Sequence, residues 1–140
     1  MRKQLAAAGL AMVLAMSLAG CGKGPIKIEG DFILNKVPKY AEIGEACAGE
    51  RGYDDIQEGT QVTVKDSKGE TVAALRLSKG LAFSTTNGNY PDACHFDIIG
   101  EVPDKGGDFY AFEVSHRGEV TVEPIEEDGV KTLKPFLSLG

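Results

Sequence analysis

In Cys94-His95-Phe96-Asp97-Ile98-Ile99-Gly100-Glu101-Val102, the apolar residues Cys94, Phe96, Ile98 and Val102 alternate with His95, Asp97 and Glu101. Successive side chains of an extended chain point to opposite faces, so this pattern sets one apolar face against a core and one polar face toward water. It predicts a strand whose cysteine points inward. Turn-forming residues bound it on both sides. Ser84 to Asp92 (STTNGNYPD) is the longest polar loop of the chain, and Pro103-Asp104-Lys105-Gly106-Gly107 is a turn.

The same period continues outward in both directions. Downstream, Tyr110, Phe112 and Val114 form an inward face, Ser115-His116-Arg117-Gly118 turns the chain, and Val120 and Val122 bring it back as a hairpin. Glu126-Glu127-Asp128-Gly129 turns it again, and Val130 to Leu139 reads as one last apolar strand. Upstream, Leu81-Ala82-Phe83 is a short strand. Val62 and Val64 alternate with Thr63 and Lys65, Asp66-Ser67-Lys68-Gly69 has hairpin-turn chemistry, and Val72 to Leu77 returns. Cys47 to Gly59, with three glycines, reads as an ordered loop, and Ala41 to Cys47 permits one helical turn that Gly44 and Gly49 keep from growing. Ile26, Ile28, Phe32 and Leu34 occupy even positions between Lys27, Glu29 and Asp31. Gly30 in that strand predicts a bulge or the close approach of another segment.

Seven or eight short strands with turn signals between them predict an all-β fold over residues 26–140. A small antiparallel β-sandwich is expected ahead of a small barrel. The chain has no Trp, so the residue that antibody domains stack on their disulfide is missing; the architecture is immunoglobulin-like at most.

Residues 1–20 follow a different logic. Arg2 and Lys3 precede an uncharged stretch, Leu5 to Leu18. As a helix at ~1.5 Å per residue it would reach roughly 21 Å, short of the ~30 Å hydrocarbon core of a bilayer. That length suits a signal-peptide core better than a short transmembrane anchor. Leu18-Ala19-Gly20-Cys21 resembles the lipobox of bacterial lipoproteins, in which the cysteine thiol receives a diacylglycerol and the chain is cut just before it. The resemblance implies a signal peptide over 1–20, a lipidated Cys21 with a short tether over 21–25, and an extracytoplasmic domain anchored to a bacterial membrane. Gly22 stands where, in two-membrane bacteria, an Asp commonly means inner-membrane retention. Two acyl chains make such an anchor stable where one is marginal.

A second resemblance covers most of residues 47 to 118. Cys47-Ala48-Gly49, Gly52-Tyr53-Asp54-Asp55-Ile56, Gly59, Val62-Thr63-Val64, Cys94 and Phe109-Tyr110 with Ser115-His116-Arg117-Gly118 resemble small actinobacterial lipoproteins and secreted β domains. It implies an extracytoplasmic β domain and no particular activity.

The leader holds two of the 15 basic residues and none of the 21 acidic ones, which leaves the mature chain 13 against 21, a formal −8. That balance argues against nucleic acid and against lying flat on anionic lipid. With Cys21 taken by lipid, Cys47 and Cys94 remain as a pair, and outside the cytoplasm a pair forms a disulfide. Two cysteines this far apart without histidines nearby make a poor metal site.

Catalytic chemistry is thin. No G-x-S-x-G elbow presents a serine, and the histidines are His95, in a strand, and His116, in a turn. Without H-E-x-x-H or paired C-x-x-C spacing they do not spell a zinc site. Asp54, Asp55 and Glu58 crowd one loop but lack the alternating oxygens and central glycine of a calcium loop. The simpler reading has Asp54 or Asp55 accepting backbone N–H bonds to fix the loop, with Tyr53 packed beneath. Glycine-rich phosphate-binding spacing is missing as well. No cofactor and no metal are expected.

What remains is surface recognition. The expected role is a non-enzymatic binding or structural module at the cell envelope, meeting a protein partner through the loop that carries Asn87, Asn89 and Tyr90. The alternative is an inhibitor of an exported hydrolase such as lysozyme, which would present a carboxylate-rich loop. A third reading assembles an enzyme from His95 or His116 and nearby carboxylates.

Overall fold

The alternation across residues 94–102 lies at the centre of the larger of two sheets. The computed structural model of the protein describes residues 23–37 and 41–140. The signal peptide, the lipobox, Cys21 and Gly22 lie outside the described residues. β1 (Ile26–Leu34) and β6 (Ala93–Val102) pair antiparallel from Ile26 opposite Val102 to Leu34 opposite Cys94. No register shift interrupts them. Even-numbered residues of both strands face inward, so Ile26, Ile28, Phe32, Leu34, Cys94, Phe96, Ile98 and Val102 are buried.

Around this pair the sheet runs β2 (Ala46–Cys47), β5 (Gly80–Phe83), β6, β1, β10 (Val130–Leu133) and β9 (Ile125–Glu127), and β11 (Phe136–Leu139) also pairs with β1. The second sheet has the order β4 (Thr71–Arg76), β3 (Gln61–Lys65), β7 (Tyr110–Val114), β8 (Glu119–Val122). The inner faces of both sheets enter one core, where Val62, Val64, Tyr110, Phe112 and Val114 join the residues of β1 and β6. Tyr110 is fully buried, and its hydroxyl donates to Pro103 O at 3.2 Å, so the ring fills the core without stranding its polar end. No helix occurs among the described residues, and the sandwich expected from the sequence is the fold.

The pairing of the last segment was not legible beforehand. β10 and β11 run parallel to β1 along one edge of it, in a sheet whose other pairings are antiparallel. They also form one strand in two pieces, because the offset against β1 is the same on both sides of the break. The break falls at Pro135. Its carbonyl accepts from Asp31 N–H at 2.8 Å, but its nitrogen has no hydrogen to donate, and the ladder is interrupted there. Pro135 also explains Gly30. A Cβ on Gly30 would lie 2.3 Å from Pro135 Cγ, so of the two expectations for that glycine, close approach is the one realised.

Two shorter features differ from the sequence reading. Residues Ala41 to Cys47 form a turn, with Gly44 at φ 87° and Glu45 N–H donating to Glu42 O, followed by the two-residue β2 rather than a helical turn. β8 leaves Val120 exposed, so that hairpin arm lies partly outside the core. The Asp66 turn is as expected: the buried Asp66 carboxylate accepts from Lys68 N–H and Glu70 N–H, and Gly69 sits at φ 81°.

Cys47 and Cys94 form a disulfide with a Cα–Cα distance of 6.0 Å. They belong to β2 and β6, which flank β5 on opposite sides. In a flat sheet strands two apart stand roughly 9.5 Å from each other. The shorter distance means that β2 curls over β5. Gly80 of β5, opposite Cys47, makes room: a Cβ there would lie 2.4 Å from Cys47 O and 2.6 Å from the Phe96 ring.

Candidate functional site

Three groups of side chains carry the chemistry of the surface, and the fold distributes them unequally. The first is the loop from Cys47 to Gly59. Ile56 is fully buried and anchors it, with Gly49 N–H donating to Ile56 O at 2.7 Å. Asp54 accepts from Gly52 N–H at 3.0 Å, which is the loop-fixing role expected of it. Asp55 instead reaches across to the turn after β7. It receives Arg117 Nε at 2.9 Å and a second bond from Arg117 Nη2, which also donates to Gly52 O at 2.7 Å. The Arg117 hydrogen bonds hold the Asp55 carboxyl well below the usual carboxylate range, and the same pair raises Arg117. Two cations approach the Tyr53 ring, with Lys36 Nζ 5.1 Å and the Arg117 guanidinium 5.0 Å from its centroid. These contacts clamp the loop to the β7–β8 turn.

The second group is the loop joining β5 to β6, from Ser84 to Asp92. Asp92 braces it. Thr85 N–H donates to Oδ1 at 2.7 Å and Thr85 Oγ1 to Oδ2 at 2.8 Å, and these bonds hold the Asp92 carboxyl below its ordinary range. Gly88 N–H donates to Ser84 Oγ at 2.9 Å, and Asp92 N–H to Phe83 O at 3.0 Å. Asn87 takes φ 57°, a conformation that Asn tolerates at a turn. Asn87, Asn89 and Tyr90 are all exposed, Tyr90 at 83%. The disulfide secures the base, since Cys94 lies two residues after Asp92.

The third group was not found in the sequence. His95, Asp31 and Asp97 occupy odd positions of β1 and β6 and so share the outer face of the large sheet. His95 Nε2 lies 2.7 Å from Asp31 Oδ1 and 3.7 Å from Asp97 Oδ1. Ser78 Oγ accepts from Asp97 N–H at 2.8 Å and lies 3.5 Å from Asp97 Oδ2. The Phe83 ring stands edge-on to the imidazole at 6.1 Å. His116, by contrast, is 90% exposed in its turn, with Glu113 Oε1 3.5 Å away. The sequence signal for this group existed in each strand's polar positions, but the pairing that brings residues 31, 95 and 97 together had no local signature.

No family model matches the chain, and no curated protein or solved structure is significantly similar to it.

Proposed function

We propose that this chain is a bacterial lipoprotein, cut before Cys21 and held there by lipid on the extracytoplasmic side of a membrane. Its domain acts as a non-enzymatic binding module that meets an envelope protein through the β5–β6 loop. One observation supports that contact surface: Tyr90 is 83% exposed at the end of a loop already cross-braced by Thr85, Ser84 and Asp92. A braced loop loses little freedom on binding, and an exposed tyrosine supplies contact area at low entropic cost. The inhibitor reading would use another surface. The contact loop holds a single carboxylate, Asp92, already engaged by Thr85, whereas the turn Glu126-Glu127-Asp128 is exposed.

The test is cross-linking in living cells followed by capture from detergent-solubilised envelope. Wild type is expected to retain one reproducible partner, and Tyr90→Ala to recover at least about fivefold less of it, a loss of roughly 1 kcal/mol. Cys21→Ser is expected to abolish incorporation of labelled palmitate and to leave the leader of residues 1–20 uncut. Undiminished capture by Tyr90→Ala would overturn the loop as contact surface. Dependence on Glu126 and Glu127 instead would move the assignment to the inhibitor reading.

A further inference from the structure

The outer-face group at the centre of the large sheet has a feature that the binding loop does not explain. Asp31 stands directly opposite Asp97 in the β1–β6 register, on a chain whose formal charge is already −6. Like charges directly opposite each other destabilise a strand pair, so two carboxylates in this position call for a cation between them. His95 presents its Nε2 to both. One imidazole nitrogen and two carboxylate oxygens lie within 4.8 Å of one another. Ligand atoms held ~2.0–2.2 Å from a tetrahedral zinc ion stand about 3.3–3.6 Å apart. The two separations from His95 Nε2, 2.7 and 3.7 Å, bracket that spacing. A shift of under about 1 Å at His95 and Asp31 would convert their hydrogen bond into a shared ion.

The support is also of the right kind. All three residues stand on paired central strands rather than on loops, which limits how far their side chains can drift. The Asp97 N–H fixes Ser78 Oγ beside the Asp97 carboxylate, 3.5 Å from Oδ2, and Phe83 flanks the imidazole.

We propose that Asp31, His95 and Asp97 bind one divalent first-row transition ion of the zinc class. The two carboxylates balance the charge of the ion, and the imidazole nitrogen selects against calcium and magnesium, which prefer all-oxygen sites. The side chains are 52%, 32% and 54% exposed, so a three-residue site here leaves a coordination position open to water or to a donor atom from another molecule.

The test uses the mature chain from Cys21 onward in detergent, with Cys21 lipidated or alkylated and the Cys47–Cys94 disulfide intact, so that no thiol competes. Zn²⁺ is titrated against a chromophoric chelator near neutral pH. The expected result is one ion per chain, with affinity lowered at least about tenfold by each of His95→Gln, Asp31→Asn and Asp97→Asn. His116→Gln and an excess of Ca²⁺ are expected to leave binding unchanged. Zinc should also raise the thermal unfolding midpoint of wild type and not of His95→Gln, which separates a lost site from a lost fold. Absence of stoichiometric binding by wild type overturns the proposal. So does binding that survives His95→Gln together with both Asn variants, or binding that depends on His116.

Discussion

Gly30→Ala probes the join between the first and last strands of the large sheet, and its cost follows from the geometry. The added Cβ would lie 2.3 Å from Pro135 Cγ, 2.5 Å from Pro135 O and 2.6 Å from Pro135 Cδ. Carbon atoms in contact normally stand ~3.5–4.0 Å apart, so the overlap exceeds about 1 Å. The ring cannot turn away because its atoms are tied to the backbone. The carbonyl cannot retreat without stretching its 2.8 Å bond from Asp31 N–H. Overpacking of this kind costs about 1–3 kcal/mol, and a weakened hydrogen bond adds about 1 kcal/mol. A destabilisation of about 2–4 kcal/mol is therefore expected, a large share of the ~5–15 kcal/mol typical of a domain. Equilibrium unfolding in urea measures it. Pro135→Ala removes Cγ and Cδ but keeps the carbonyl, so Gly30→Ala should cost at least about 1 kcal/mol less in that background. Gly24→Ala, whose Cβ meets nothing within 4 Å, is the control and should stay within about 0.5 kcal/mol of wild type. If Gly30→Ala matched that control, or if the two substitutions were simply additive, the close approach of β11 to β1 would be refuted.

Two further outcomes follow from the ties between distant segments. The Cys47–Cys94 bond closes a separation of 47 residues, worth about 4 kcal/mol in the unfolded-chain entropy model, so reduction or a Cys47→Ala/Cys94→Ala double variant should lower stability by about 3–4 kcal/mol in urea; a change under about 1 kcal/mol would contradict it. Arg117→Ala removes a forked, charge-assisted pair and the bond to Gly52 O from a partly exposed clamp, and the urea unfolding midpoint should fall with it. Because Asp55 is depressed in the folded chain, the stability it contributes is present above the unfolded carboxylate pKa of ~3.9 and is lost as pH falls toward its lower folded value. The gap between wild type and Arg117→Ala should thus be full at neutral pH and narrow below about pH 4, measured by unfolding at a series of pH values.

The period-two alternation alone identified the inward faces of β1, β6 and β7, because alternation is a property of the local chain and needs no partner to be read. Counting cysteines identified the Cys47–Cys94 pair, and turn chemistry placed the Asp66 hairpin. Which strand lies beside which is a different matter. The parallel run of residues 130–139 along β1 and the Asp55–Arg117 clamp depend on contacts between segments far apart in the chain. So does the meeting of Asp31 with His95 and Asp97. The sequence determined which residues turn inward, since that follows from the two-residue repeat of an extended chain. Only the tertiary structure decided which outward residues meet, since a register is chosen by the packing of the whole core, and shifting it by one residue would turn every side chain of the strand to its other face.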